Sequence, residues 1–193
     1  MDPRILLDML HVAERLKDAT RHCYTSGGRR ESVAEHSWRA ALMAFFLKDV
    51  LQEEFPGADM DKVIRMCLIH DLGEAFTGDI PSFLKTADDE KKEDALLGKW
   101  VASLPPRLGQ EMDALYREMA ARETLEAQIF KAIDGLEAVI QHNESDLATW
   151  IPHEYELNLT YAEDKVTFSP WLRALRQVMK ENTLQKLEAK RNA

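Results

Sequence analysis

Apolar positions recur with helical spacing along nearly the whole 193-residue chain, and no alternating strand pattern persists. The opening segment, MDPRILLDMLHVAERLK, puts Ile5, Leu6, Met9, Leu10, Ala13 and Leu16 on one side of an amphipathic helix. Residues 32–54 predict the clearest helix. Ser32 and Glu35 form an S-x-x-E capping box, Ala40, Ala41, Ala44, Phe45 and Leu47 supply a core surface, and Phe55-Pro56-Gly57 ends it. Asp59 can cap a third helix, which runs through Ile64, Cys67 and Leu68 and is closed by His70-Asp71. A loop holding Gly78 and Pro81 follows. Residues 88–103 predict a charged amphipathic helix stopped by Pro105-Pro106, and 106–120 predict another. The helix predicted over 123–142 is long and more apolar. Ser169-Pro170, a cap followed by a proline at the first helical position, opens a final helix to about residue 188. Residues 150–168 lack periodicity and are expected to form a long loop. The pattern predicts one all-α domain over 1–193, a helical bundle.

Composition narrows the function classes. Apolar residues make up 45 % and charged residues 31 % of the chain, as in an ordinary globular protein. No apolar run is long enough to span a bilayer, and the N-terminal segment does not have the form of a signal peptide. Two cysteines, Cys23 and Cys67, do not make a disulfide framework, so a reduced, cytoplasmic setting is expected. The formal net charge of −9 argues against a nucleic-acid polymer as partner, because such binding rests on many Lys and Arg contacts to phosphates. A small phosphorylated molecule held by one or two arginines and a metal is compatible with it.

The chemistry concentrates in a few places. The helix entering IRMCLIHDLGEAFTGDIP (64–81) is apolar, then meets His70-Asp71, Glu74 and Asp79. Burying unpaired charge is costly, so such groups are exposed, paired or bound to a metal. His36 stands just after the cap of the second helix, and Asp134 lies between Ile133 and Leu136 in the most apolar helix. Each has an ordinary reading alone: a hydrogen-bonded histidine, or an aspartate paired with Lys131. Together, two imidazoles and two carboxylates make a good ligand set for one divalent ion, and bundle cores are common places for such sites. Spacing does not establish that residues so far apart meet.

The pattern His36 … His70-Asp71 … Asp134, with ESVAEHSWR (31–39), HDLGEAFTGDIP (70–81) and KAIDGLEAVIQ (131–141) around it, resembles the HD-domain metal-dependent phosphohydrolases. Over about residues 15–145 it looks like the branch that contains bacterial 5′-deoxynucleotidases and their eukaryotic HD-domain relatives. The resemblance implies an all-α fold, one divalent metal ion (Mn, Co, Mg, Zn or Fe) and hydrolysis of a nucleoside 5′-monophosphate. By matching positions it implies His36, His70, Asp71 and Asp134 as metal ligands. It implies that Glu74 positions or deprotonates the attacking water, that Asp79 meets water or the sugar, and that Arg21 holds the phosphate. It also implies a homodimer. The chain departs from the branch where a tryptophan is expected beside that arginine. TRHCYTS puts His22 there, with Tyr24 nearby, and either ring can pack on a sugar or base. No histidine lies between Asp71 and Asp134, which argues against a dinuclear centre. Hydrolysis of a triphosphate or an alarmone stays open, as does a non-catalytic nucleotide-binding module. The retention of Glu74 and Asp79 favours catalysis.

Overall fold

The computed structural model describes residues 1–191; residues 192 and 193, the end of the domain expected over 1–193, lie outside the described residues. The order of elements is α1 (Pro3–Glu14), a 3₁₀ turn (Arg15–Lys17), a hairpin of β1 (Thr20–Tyr24) and β2 (Arg30–Ser32), then α2 (Val33–Phe46), α3 (Lys48–Glu54), α4 (Met60–Ile69) and the short α5 (Glu74–Thr77). After these come α6 (Ala87–Ala102), α7 (Pro106–Ala121), α8 (Leu125–Glu144), α9 (Pro152–Thr160) and α10 (Pro170–Arg191), with 3₁₀ turns at Leu147–Thr149 and Asp164–Val166. The all-α class expected from the periodicity is what the chain adopts.

Helices α2, α4 and α8 pack on one another as the centre of the core. Ala40 and Ala44 of α2, Val63, Met66 and Cys67 of α4, and Ile129, Ile133 and Leu136 of α8 have no solvent exposure. Small residues on α2 let the helices approach closely, and that closeness brings polar side chains on the same helices within reach of one another. A second cluster, Leu16, Val33, Leu72, Leu97, Val101, Leu104 and Met112, joins α6, α7 and the end of α1 to the site's flank.

Four sequence expectations change. The helix expected over 32–54 breaks at Leu47, which is buried at the junction of α2 and α3, and Leu51 of α3 is buried as well. Phe45, expected in the core surface, is 60 % exposed, because it falls on the face opposite Ala40, Ala44 and Leu47. On α1 only the C-terminal part reaches the core: Met9 and Ala13 pack there, while Ile5, Leu6 and Leu10 stand in solvent. The long loop expected over 150–168 contains α9 and two 3₁₀ turns. It escaped the periodicity because its inward face is polar. Glu154 and Asn158, one helical turn apart, are buried, and Asn158 Nδ2 donates to Asn143 Oδ1 and Thr183 Oγ1, both at 3.0 Å.

The hairpin was not legible as strands, and it carries Arg21 and His22 into the site. Its strands pair antiparallel, Thr20 opposite Ser32 and Tyr24 opposite Arg30. Gly28, at φ +81°, supplies the left-handed residue of the turn. Gln141 Nε2 of α8 donates to the Tyr24 carbonyl at 2.5 Å and ties the hairpin to the central helix.

Candidate active site

His36 comes from the first turn of α2, positioned by the capping box, in which Glu35 Oε2 accepts the Ser32 N–H at 2.9 Å. His70 and Asp71 stand where α4 ends, and Asp134 lies in the middle of α8. The fold brings these four together. His36 Nε2 is 3.2 Å from Asp134 Oδ1 and 3.7 Å from Asp71 Oδ2. His70 Nε2 is 3.0 Å from Asp71 Oδ2 and 3.7 Å from Asp134 Oδ1.

The far side of each ring decides which nitrogen faces this cluster. His70 Nδ1 donates to the Cys67 carbonyl at 2.8 Å, leaving Nε2 inward. His36 Nδ1 donates to Glu137, a carboxylate without solvent exposure whose other oxygen accepts from Arg39 Nε at 2.5 Å. This carboxylate–histidine arrangement orients a ligand and raises its basicity. Burial and Arg21 push the His36 pKa down, but Glu137 and Asp134 outweigh them and the net shift is upward. Burial also opposes protonation of His70, yet Asp71 and Asp134 raise it to about 10. Asp134 is pushed up by burial but held well below the carboxylate range by Lys131, whose Nζ lies 2.7 Å from Oδ2, and by the two imidazoles. The ordinary reading of Asp134, a lysine pair, is therefore present together with the cluster.

A divalent ion fits these groups on the structure's own terms. His70 Nε2 is buried and makes no hydrogen bond, although Asp71 Oδ2 is 3.0 Å away. Ligand atoms around one cation stand in this way, close but not aligned on one another. Asp71 and Asp134, the two carboxylates that raise the His70 pKa, face the same point and favour a positive charge there.

The cluster opens on a cavity of about 250 Å³, near the lower end for small-molecule sites, which run to about 300–1,000 Å³. Arg21, Glu74, Asp79 and Lys85 line it beside Asp71 and Asp134. Arg21 Nη1 is 3.9 Å from Asp71 Oδ2, and its Nε, 3.3 Å from Glu31 Oε2, has no aligned partner. Glu74 begins α5 after a turn at residues 70–73, so the chain folds its carboxyl back toward Asp71. Glu74 is buried, and its Oε2 and Asp79 Oδ2 lack hydrogen-bond partners. Burial, with the charges of Asp71 and Asp79 behind it, pushes Glu74 up to about 9; Asp79 is raised too, chiefly by burial. Gly78, at φ +76°, turns the chain between these two acids.

His22 lines the same cavity, whereas the Tyr24 ring lies against the Arg30 guanidinium, 5.8 Å from centroid to Cζ. Arg39 and Arg29 are paired with acids, Arg39 with Glu137 and Glu144 and Arg29 with Glu35. Sequence reasoning missed Glu137, Glu31, Lys85, His142 and Glu154. Glu137 was findable: it lies three residues after Asp134, on the same helical face, within an apolar stretch. Nothing local marks the others.

A helical core that closes around a His-Asp pair, with a histidine and an aspartate brought in from two further helices, defines the HD-domain class. The family model described as HD domain matches residues 13–176, and the chain belongs to that family. The match includes the segment expected as a loop. The human 5′-deoxynucleotidase HDDC2 is 30% identical over 145 residues, which are 73% of this chain and 68% of that protein. The Dictyostelium discoideum 5′-deoxynucleotidase HDDC2 is 30% identical over 157 residues, 78% of this chain and 80% of that one. Among solved structures, the "Predicted metal-dependent phosphohydrolase" from Magnetospirillum magnetotacticum MS-1 superposes with a TM-score of 0.77 at 29% identity, covering 95% of this chain and 93% of that one.

Proposed function

We propose that the protein is a metal-dependent phosphomonoesterase that removes the 5′-phosphate of nucleoside monophosphates, deoxynucleotides foremost. The observation that carries the reading is the approach of His36, His70, Asp71 and Asp134 within 3.0–3.7 Å, with Arg21 Nη1 3.9 Å from Asp71 at the same cavity. The 5′-deoxynucleotidase names of the relatives support the substrate class.

His36, His70, Asp71 and Asp134 would hold one divalent ion. When bound, the ion acidifies water and neutralises charge on phosphoryl oxygens. The chain's own groups do the rest. Arg21 offers its planar donor fork to the phosphate oxygens, and the buried setting strengthens that charge-assisted contact. Glu74, with no hydrogen bond on Oε2, takes the proton of the attacking water. Burial and the charges of Asp71 and Asp79 hold its proton on, and a cation bound beside Asp71 would offset those charges and restore the carboxylate that accepts a proton; proton transfer of this kind contributes about 10²–10⁴-fold. Water adds to phosphorus as the bond to O5′ breaks, and the products are inorganic phosphate and the nucleoside with its 5′-hydroxyl protonated. Asp79 meets water or the sugar, and His22 forms the wall beside it. The assembly we propose is a homodimer, and the compartment the cytoplasm, in keeping with two free, buried cysteines. Among the described residues no helix is long and apolar enough to cross a membrane.

The test is a phosphate-release screen of ribo- and deoxynucleoside mono-, di- and triphosphates, on chelator-stripped protein resupplied with Mn²⁺, Co²⁺, Mg²⁺, Zn²⁺ or Fe²⁺ in turn. Deoxynucleoside monophosphates are expected to give the highest metal-dependent rate. Release from triphosphates alone, or from nothing, overturns the reading.

A further inference from the structure

Away from the four residues above, three more ligand-type side chains meet on the wall of the same cavity: His22 of β1, His142 near the end of α8, and Glu154 of α9. One donor atom from each lies within 4.8 Å of the others. His22 Nε2 and Glu154 Oε1 are 3.4 Å apart, longer than a good N–H···O bond. That separation matches the spacing of two ligand atoms on a tetrahedral ion, about 3.3–3.5 Å for bonds near ~2.0–2.1 Å.

The surroundings hold the three in place. Glu154 Oε2 accepts the Ile151 N–H at 2.7 Å, which leaves Oε1 for the cluster. The His22 ring is packed edge-on by Phe83 at 5.5 Å. The His142 ring lies 5.4 Å from His22 and 5.4 Å from the indole of Trp150, itself anchored by a 2.9 Å bond from Nε1 to Ser145 Oγ. His142 Nδ1 is buried and has no hydrogen-bond partner. Mutual hydrogen bonding, the simplest alternative account, leaves that nitrogen unexplained. Burial and the Arg21 charge also lower both imidazoles, each to about 4, so both are in the neutral, metal-binding form at neutral pH.

We propose that His22, His142 and Glu154 form a second cation site, separate from the HD cluster, that takes a transition ion of the Zn²⁺, Co²⁺ or Ni²⁺ kind. Two imidazoles and one carboxylate select such ions over Mg²⁺. Three protein ligands leave a coordination position, and all three residues line the cavity, so that position is reachable by a bound anion. The inference goes beyond the proposed phosphatase activity and does not depend on it.

The experiment is metal binding to the full chain after chelator stripping. Co²⁺ titration is followed by its d–d absorption, and Zn²⁺ by metal analysis after equilibrium dialysis. The parent is expected to take two equivalents of Co²⁺ or Zn²⁺, and one of Mg²⁺ at the same concentrations. Asp134→Asn should weaken one equivalent. His142→Leu and Glu154→Gln should each weaken the other by tenfold or more, with the thermal unfolding of each variant recorded alongside. Glu154→Gln keeps the test in force if His142→Leu does not fold. A parent that takes one equivalent, lost in Asp134→Asn and kept in Glu154→Gln, overturns the proposal. So does a second equivalent that survives both variants, or Mg²⁺ filling both sites equally.

Discussion

Glu137→Gln is the substitution whose consequence the structure specifies most closely. Glu137 uses its two carboxylate oxygens for two donors: one accepts from His36 Nδ1, the other from Arg39 Nε at 2.5 Å. Glutamine has the same shape but one acceptor oxygen. Whichever way its amide is turned, either His36 or Arg39 faces an NH₂ group. Neither Glu137 nor His36 has solvent exposure, so water cannot replace the lost acceptor. The ring also loses the negative charge that offsets burial and Arg21 in setting its basicity. Loss of an orienting partner of this kind lowers metal affinity by about 10–100-fold, or about 1.4–2.7 kcal/mol. The assay is Co²⁺ or Zn²⁺ competition against a chromophoric chelator, on protein whose fold is checked by circular dichroism. Glu144→Gln is the control, because it touches only the outer, exposed arm of Arg39 and should leave affinity nearly unchanged. If Glu137→Gln binds metal within twofold of the parent, the carboxylate does not position His36 and the reasoning fails.

Glu74→Gln should retain metal and lose about 10²-fold or more of the turnover, measured as metal content and phosphate release in parallel; near-parental turnover would pass the proton to Asp79. Asp71→Asn should instead lose metal, since it removes a charged ligand and the partner of His70, and metal analysis after dialysis reads this directly. Arg21→Ala should raise KM for a nucleoside monophosphate at least tenfold while metal content holds, the expected effect of losing a phosphate contact; an unchanged KM contradicts that role. Metal affinity should rise with pH between about 6 and 9. His70 is raised to about 10 without metal, so ligation must displace its proton, and each proton released makes binding up to about tenfold tighter per pH unit. Calorimetry in buffers of different ionisation enthalpy measures the protons released, and a value of zero contradicts the assignment.

Much of this protein was legible without coordinates, for a reason that differs element by element. Helices α2, α4 and α8 bury apolar stripes, so periodicity alone places them, and the capping residues Ser32 and Asp59 mark their starts. The ionic residues breaking those stripes stood out for the same reason, and the motif strings around His36, His70-Asp71 and Asp134 pointed to one family. Periodicity failed where the buried face is polar. Glu154 and Asn158 turn inward from α9, and a rule that looks for apolar stripes reads such a segment as loop. It also failed at the hairpin, whose strands are too short to show alternation and which is held by its turn and by Gln141 from α8. Only the tertiary structure decided which groups meet. The approach of His36 to Asp134, 98 residues apart, follows from how closely the small residues of α2 let it pack on α8, and the gathering of His22, His142 and Glu154 follows from the docking of the hairpin and α9 beside the end of α8; local sequence carries no record of either distance.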